Sequence, residues 1–209
     1  MPKIWLTLAV FLLAAPLLSG PPPARAEETA VAPTEQDHVL GKPDAPVTII
    51  EYASLTCPHC AEFDKVTLPE IKKNWIDTGK AKLVFRVFPL NSLDLRAAML
   101  ASCVPEDKYF AFVDQLYQYQ GNWMGARDPE RALAGIGRLS GVSEDKVKTC
   151  MTDKSIEDAV VGTAYTGQTA GVQSTPTFFI NGVKPPAAKN GAQPYAVFDE
   201  LLTAALPKG

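Results

Sequence analysis

The pattern Cys57-Pro58-His59-Cys60 stands where a β-branched, apolar run over residues 47–54 gives way to a helical one. Proline is tolerated in the first turn of a helix, so Pro58 fits the first helical position and places Cys57 at the N-cap. From there the Cys57 sulfur faces the unpaired backbone N–H groups of His59 and Cys60. Those amides, the positive end of the helix dipole and His59 when protonated favour a thiolate over a thiol. Cys57 is therefore expected to be the reactive sulfur. Cys60, one helical turn on and facing the sheet, is expected to be the resolving thiol.

Other uses of the pair fit less well. A structural zinc site takes four cysteine or histidine ligands. The chain has two histidines, and His38 lies near the domain start. Haem attachment needs histidine directly after the second cysteine, where this chain has Ala61. Neither a metal nor a cofactor is called for.

Residues 1–26 read as a cleaved secretory signal peptide: Lys3, an apolar stretch over 4–18, a Pro/Gly-rich segment and Ala24-Arg25-Ala26. The apolar stretch is about 15 residues, short of the roughly 20 that a spanning helix needs. Export places Cys57, Cys60, Cys103 and Cys150 in an oxidising compartment, where an even number of cysteines invites pairing. A structural disulfide between Cys103 and Cys150 is the main reading, and on the chain-entropy model it contributes about 4 kcal/mol. A second redox relay is the alternative, disfavoured because neither cysteine has a proline or a helix start beside it. Twenty basic residues, two of them in the leader, stand against 23 acidic ones without a basic cluster, which excludes nucleic acid as a partner.

Residues 27–36 read as a flexible lead-in, with one domain over 37–209. A strand at 47–53, a helix through Trp75 and Ile76 kinked at Pro69, and a strand at 82–88 make a β-α-β unit. Phe63, Val66, Ile71 and Trp75 mark the inner face of that helix. From about 91 to 170 the period is helical, and Asp128-Pro129 and Ser143-Glu144-Asp145 look like helix starts. The aromatics Tyr109, Phe110, Phe112, Tyr117 and Tyr119 read as packing for this block. A strand at 177–180, the hairpin turn Asn181-Gly182, a further strand and a helix at 194–206 close the domain.

A β-α-β unit with C-x-x-C at its helix start, followed far along by Ser174-Thr175-Pro176 and a hairpin, resembles the thioredoxin fold. The large helical insertion makes it similar to the DsbA family over about residues 37–206. The fold class is thus α/β, a thioredoxin fold with a helical insertion over about 91–170. The resemblance implies a cis Thr175–Pro176 bond lying against Cys57, with the Thr175 backbone offered to an incoming peptide strand. It also supports a proton-transfer role for Glu51, a carboxyl inside an apolar strand whose bland reading is a half-exposed strand end. Arg86 or Lys82 is a candidate partner for it.

The function implied is a periplasmic thiol:disulfide oxidase acting on unfolded or reduced exported proteins, reoxidised by a DsbB-like membrane quinone oxidoreductase, and working as a monomer. A disulfide isomerase or reductase is the second reading. A non-catalytic chaperone or binding module, with the C-x-x-C merely structural, is the third.

Overall fold

Strand β2 (Val47–Ala53) is buried along its length apart from Thr48, as a strand covered on both faces must be. Strand β3 (Ala81–Val87) runs parallel beside it and sets Glu51 opposite Phe85 and Tyr52 opposite Arg86. On the other side of β2, β4 (Thr177–Ile180) pairs antiparallel, with Glu51 opposite Phe178. A short strand, β1 (His38–Leu40), joins the outer edge of β3, giving the order β1-β3-β2-β4. The computed structural model describes residues 31–186 and 191–208. The expected signal peptide, 1–26, lies outside them. Among the described residues no helix is long and apolar enough to cross a membrane.

The crossover from β2 to β3 is one helical run in four pieces. It consists of α1 (Pro58–Glu62), a π turn (Phe63–Thr67), α2 (Leu68–Ile71) and a second π turn (Lys72–Ile76). A simple kink at Pro69 was the expectation. Instead the π turn precedes it, and Pro69 stands in the first turn of α2, where its missing N–H is tolerated. A wider turn also shifts the inward face, which is why Val66 is 66% exposed rather than packed inward. Phe63, Ile71, Trp75 and Ile76 form the buried side, packed on Val47, Ile49, Leu83 and Phe178 and on Phe198 and Leu202 of the last helix.

Between β3 and β4 come α3 (Ser92–Ala101), α4 (Tyr109–Gln118), α5 (Gln120–Met124), α6 (Pro129–Leu139), α7 (Glu144–Cys150) and α8 (Lys154–Thr169). The closing helix is α9 (Tyr195–Ala205). Asp128 and Ser143 cap α6 and α7 by accepting from the amides of Arg131 and Lys146, as their sequence positions led us to expect. Cys103 and Cys150 are joined in a disulfide that ties the segment after α3 to the end of α7. Tyr109, Phe112 and Tyr117 are buried, but Tyr119 stands at the junction of α4 and α5 and is 57% exposed.

Two further expectations need correction. The lead-in is not loose from Val31 onward: the Val31 amide donates to the Gly182 carbonyl, and Arg86 donates to the Ala32 carbonyl and to both carboxylate oxygens of Asp37. Arg86 and Asp37 are both nearly fully buried, and that ion pair pins the segment across the back of the sheet. The Asn181-Gly182 turn forms, with both residues at positive φ, but among the described residues it is followed only by a bridge from Ile180 to Val183. Pro185 and Pro186 come next and have no N–H with which to extend a ladder.

Helix α8 meets the back of the sheet at Gly167, where an added Cβ would lie 2.6 Å from Cε1 of the buried Tyr52 ring. That ring cannot swing aside freely, because Arg86 donates to its hydroxyl at 2.8 Å. Helix propensity alone would make Gly167→Ala stabilising by about 1 kcal/mol. Overpacking against a pinned ring costs about 1–3 kcal/mol. Urea unfolding of Gly167→Ala should therefore show a net loss of stability, and a gain would show that Tyr52 yields.

Candidate active site

Strand β2 ends at Ala53, and after four intervening residues the chain enters α1, which leaves Cys57 as N-cap with an extended backbone (φ −82°, ψ 125°) and Pro58 in the first turn. Pro58 and His59 are exposed, whereas Cys57 is 7% exposed and Cys60 has no exposed surface. Both cysteines are free thiols here. The strand–turn–helix sequence thus puts two sulfurs one turn apart in different settings.

Across from Cys57 lies the loop before β4. The Thr175–Pro176 bond is cis, and the Cys57 thiol donates to the Thr175 carbonyl at 3.4 Å. Thr175 and Pro176 are buried, and the Thr175 hydroxyl has no other hydrogen-bond partner among the described residues. The Cys57 thiol is lowered from an ordinary 9.0 to about 5. The largest cause is the hydrogen bond from the Cys60 thiol, opposed by burial. The Thr175 side chain and the backbone amides of Cys60 and His59 add to the lowering.

The sequence pointed to the helix-end amides, the helix dipole and His59; the partner thiol, which it did not single out, contributes most. His59 acts through its backbone; its ring points to solvent, 3.5 Å from Glu62 Oε2.

Cys60 is pushed far the other way, first by burial, then by its hydrogen bond to Cys57 and by the charge of Glu51. Glu51 is 2% exposed on the same face of β2 as Val47 and Ile49, the face that α1 covers. Among the described residues its Oε1 has no hydrogen-bond partner, and burial, then the charges of Asp64 and Cys57, raise its carboxyl well above the usual range. Neither expected cation reaches it. Arg86 points to the opposite face and pairs with Asp37, and Lys82 donates to the Pro43 carbonyl. Strand alternation explains this, since Arg86 is opposite Tyr52, not Glu51.

Asp64 is a group that sequence reasoning missed. It is buried in the π turn after α1, and burial with the neighbouring Asp114 raises it to about 7. Also missed was the hold on residues 54–57 by Asp94, Asn91, Tyr117 and Gln120 of the helical block. Nothing local in their sequence marks those contacts. Among the described residues no group of three or more histidine, cysteine or acidic side chains is arranged to hold a metal.

A thioredoxin family model matches residues 33–202. The chain is 36% identical over 152 residues to a putative protein-disulfide oxidoreductase of Rickettsia bellii, covering 72% of this chain and 59% of that protein. The chain thus spans less than two thirds of the length of that relative. It is 33% identical over 149 residues to a probable disulfide bond formation protein D of Bacillus cereus, covering 68% of this chain and 69% of that protein. Among solved structures, alpha-DsbA1 of Wolbachia pipientis superposes with a TM-score of 0.74 at 33% identity, covering 83% of this chain and 92% of that one. The fold shared with these proteins is the thioredoxin fold with many helices.

The lowered Cys57 couples redox state to stability. A thiol whose folded value is about 5 and whose ordinary value is 9.0 stabilises the folded dithiol fully above 9. That contribution fades as pH falls toward 5. Cys60, shifted upward, is neutral in both folded and unfolded chains below 9 and adds nothing in this window. Urea unfolding of the reduced form, referred to the oxidised form, should therefore show a stability difference that grows with pH between 5 and 9. A difference flat with pH would mean that Cys57 is an ordinary thiol.

Proposed function

Because the chain belongs to the thioredoxin family, within its DsbA-type disulfide oxidoreductases, we propose that it is a thiol:disulfide oxidase that donates a Cys57–Cys60 disulfide to exported proteins. The observation that carries this reading is the asymmetry of the two sulfurs, one lowered to about 5 and the other buried and pushed up.

In the oxidised protein a client thiolate attacks the Cys57 sulfur. The Cys57–Cys60 bond breaks, a client–Cys57 disulfide forms, and the bonding pair leaves on Cys60. A buried Cys60 does not remain an anion, so it takes a proton, and Glu51 is placed to supply it. A second client thiolate then attacks the client sulfur of the mixed disulfide and expels Cys57 as a thiolate. The client is oxidised by two electrons and the protein is reduced by two. A low-pKa leaving group departs fast and stabilises the reduced protein, so the disulfide is readily given away. The Thr175 backbone, beside the Cys57 sulfur, is the proposed docking strand for an extended client segment.

The proposed setting is the periplasm, reached by way of the signal peptide read at 1–26. A DsbB-like quinone oxidoreductase in the membrane would reoxidise the dithiol, and the working form would be a monomer. The domain division proposed is 37–209 with the insertion over about 91–170, and the proposed role of Cys103–Cys150 is structural. One observation favours a second reading, as isomerase or reductase: a threonine with a buried hydroxyl precedes the cis proline, as is common in thioredoxin-fold isomerases and reductases.

Two variants test the reading with a reduced, unfolded client. Cys57→Ser and Cys60→Ser should each abolish client oxidation, because neither can form the Cys57–Cys60 disulfide. With a disulfide-bonded client instead, Cys57 of Cys60→Ser attacks the client disulfide, expels one client thiolate and should accumulate as the client–Cys57 mixed disulfide, because the internal escape thiol is gone. If Cys57→Ser keeps the protein's activity on a reduced, unfolded client, both redox readings fall and the binding module is favoured. Faster repair of scrambled, fully oxidised client than oxidation of reduced client would favour the isomerase.

A further inference from the structure

The turn 54–57 between β2 and α1 is held by a buried carboxylate that the exchange steps do not use. Asp94, in the first turn of α3, has no exposed surface. One carboxylate oxygen accepts from the Ser54 hydroxyl at 2.5 Å, the Leu90 amide at 2.9 Å and the Thr56 hydroxyl at 3.3 Å. The other accepts from the Leu55 amide at 2.9 Å. Both carboxylate oxygens are thus engaged, one by three donors and the other by one. Asn91 seats the arrangement: its side-chain oxygen accepts from the Asp94 amide, and its nitrogen donates to the Thr56 hydroxyl at 3.0 Å.

The carbonyls of the turn are held by the same helical block. The Tyr117 hydroxyl donates to the Ser54 carbonyl at 3.2 Å, and the Gln120 amide donates to the carbonyls of Leu55 and Cys57 at 2.9 and 3.1 Å. Within the segment, the Cys57 amide donates to the Ser54 carbonyl and the Thr56 amide to the Ser54 hydroxyl, so those side-chain contacts hold a turn that carries the Cys57 backbone with it. An N-cap residue has non-helical dihedrals, so the turn before it, not the helix, sets its orientation. The Ser54 backbone also reaches the Cys60 sulfur, so both thiols depend on one short segment.

We propose that Asp94 is a positioning residue for Cys57, fixing the turn 54–57 so that the sulfur stays over the amides of His59 and Cys60 and against Thr175. This deepens the oxidase reading and rests on it. Donors to a thiolate count only at hydrogen-bonding distance. A turn free to shift would lose them before the fold was lost.

The electrostatics of Asp94 oppose this effect, which makes the test sharp. A buried anion disfavours a thiolate, so removing the Asp94 charge with geometry unchanged would not make Cys57 less acidic. Loss of positioning makes Cys57 less acidic. The other groups that act on the sulfur, Cys60, Thr175, the His59 amide and Glu51, are unchanged by the substitution.

The experiment follows thiolate absorbance against pH in the reduced full chain and in Asp94→Asn, Asp94→Ala and Thr56→Val. We expect the midpoint to rise by about one unit in Asp94→Ala, about the net value of one hydrogen bond. The rise should be smaller in Asp94→Asn, which keeps one acceptor. Thr56→Val, which removes only the hydroxyl between Asn91 and Asp94, should move the midpoint upward as well. A one-unit rise makes the reduced form about tenfold less favoured, or about 30 mV in the couple. A midpoint unmoved or lowered in Asp94→Asn, with circular dichroism intact, overturns the proposal even if the melting temperature falls. If neither Asp94 variant folds, Thr56→Val decides alone, and an unmoved midpoint there overturns it. A wild-type midpoint near 9 would sink the oxidase reading instead, so the two failures are distinguishable.

Discussion

Two sulfurs one helical turn apart, held in unlike surroundings, are the constraint that gives the rest of this structure its meaning. Cys57 sits at a helix N-cap within reach of several donors, and Cys60 sits beneath it with no exposed surface. In water the two thiols would be nearly equivalent. Here one is drawn toward the anion and the other is driven from it, so the reduced pair has a preferred charge state, on which the proposed transfer of a Cys57–Cys60 disulfide rests.

The fold explains how residues far apart in sequence reach that pair. Strand β2 lies between β3 and β4, so its end stands beside the start of β4, and the loop carrying Thr175 and Pro176 arrives at the Cys57 sulfur. Alternation along β2 sends Ile49 and Glu51 to the face that α1 covers, and Tyr52 to the other. Glu51 is thereby buried under the helix that carries Cys60, and among the described residues its Oε1 has no hydrogen-bond partner. The helical block supplies the remaining restraint, through Asp94 and its neighbours on the turn 54–57.

Much of this was legible in the sequence where the signal was local. Pro58 after Cys57 marks a helix start, Asp128 before Pro129 marks another, and Asn181-Gly182 marks a tight turn; each is set by dihedral preferences and capping within a few residues. The thioredoxin fold entered as a resemblance, carried by the C-x-x-C at a helix start and the later Thr175-Pro176. What was not legible depends on tertiary partners. Asp94 looks like an ordinary acid in the first turn of a helix, yet it is buried beneath another segment. Val66 fits a 3.6-residue period, but the π turn around it changes the period. Arg86 was a plausible mate for Glu51 until strand register placed it opposite Tyr52, facing Asp37.

The reduction potential of the Cys57/Cys60 couple, equilibrated with glutathione at pH 7, tests the central claim most directly. Only ionisation below ambient pH favours the reduced form, so a sulfur lowered to about 5 favours it by up to about a hundredfold, or about 60 mV for two electrons. Thioredoxin, whose reactive sulfur lies near 7, has a potential of about −270 mV. Relative to that sulfur the gain is about fiftyfold, or about 50 mV, so the account predicts a couple at about −220 mV. A value at or below that of thioredoxin would contradict it.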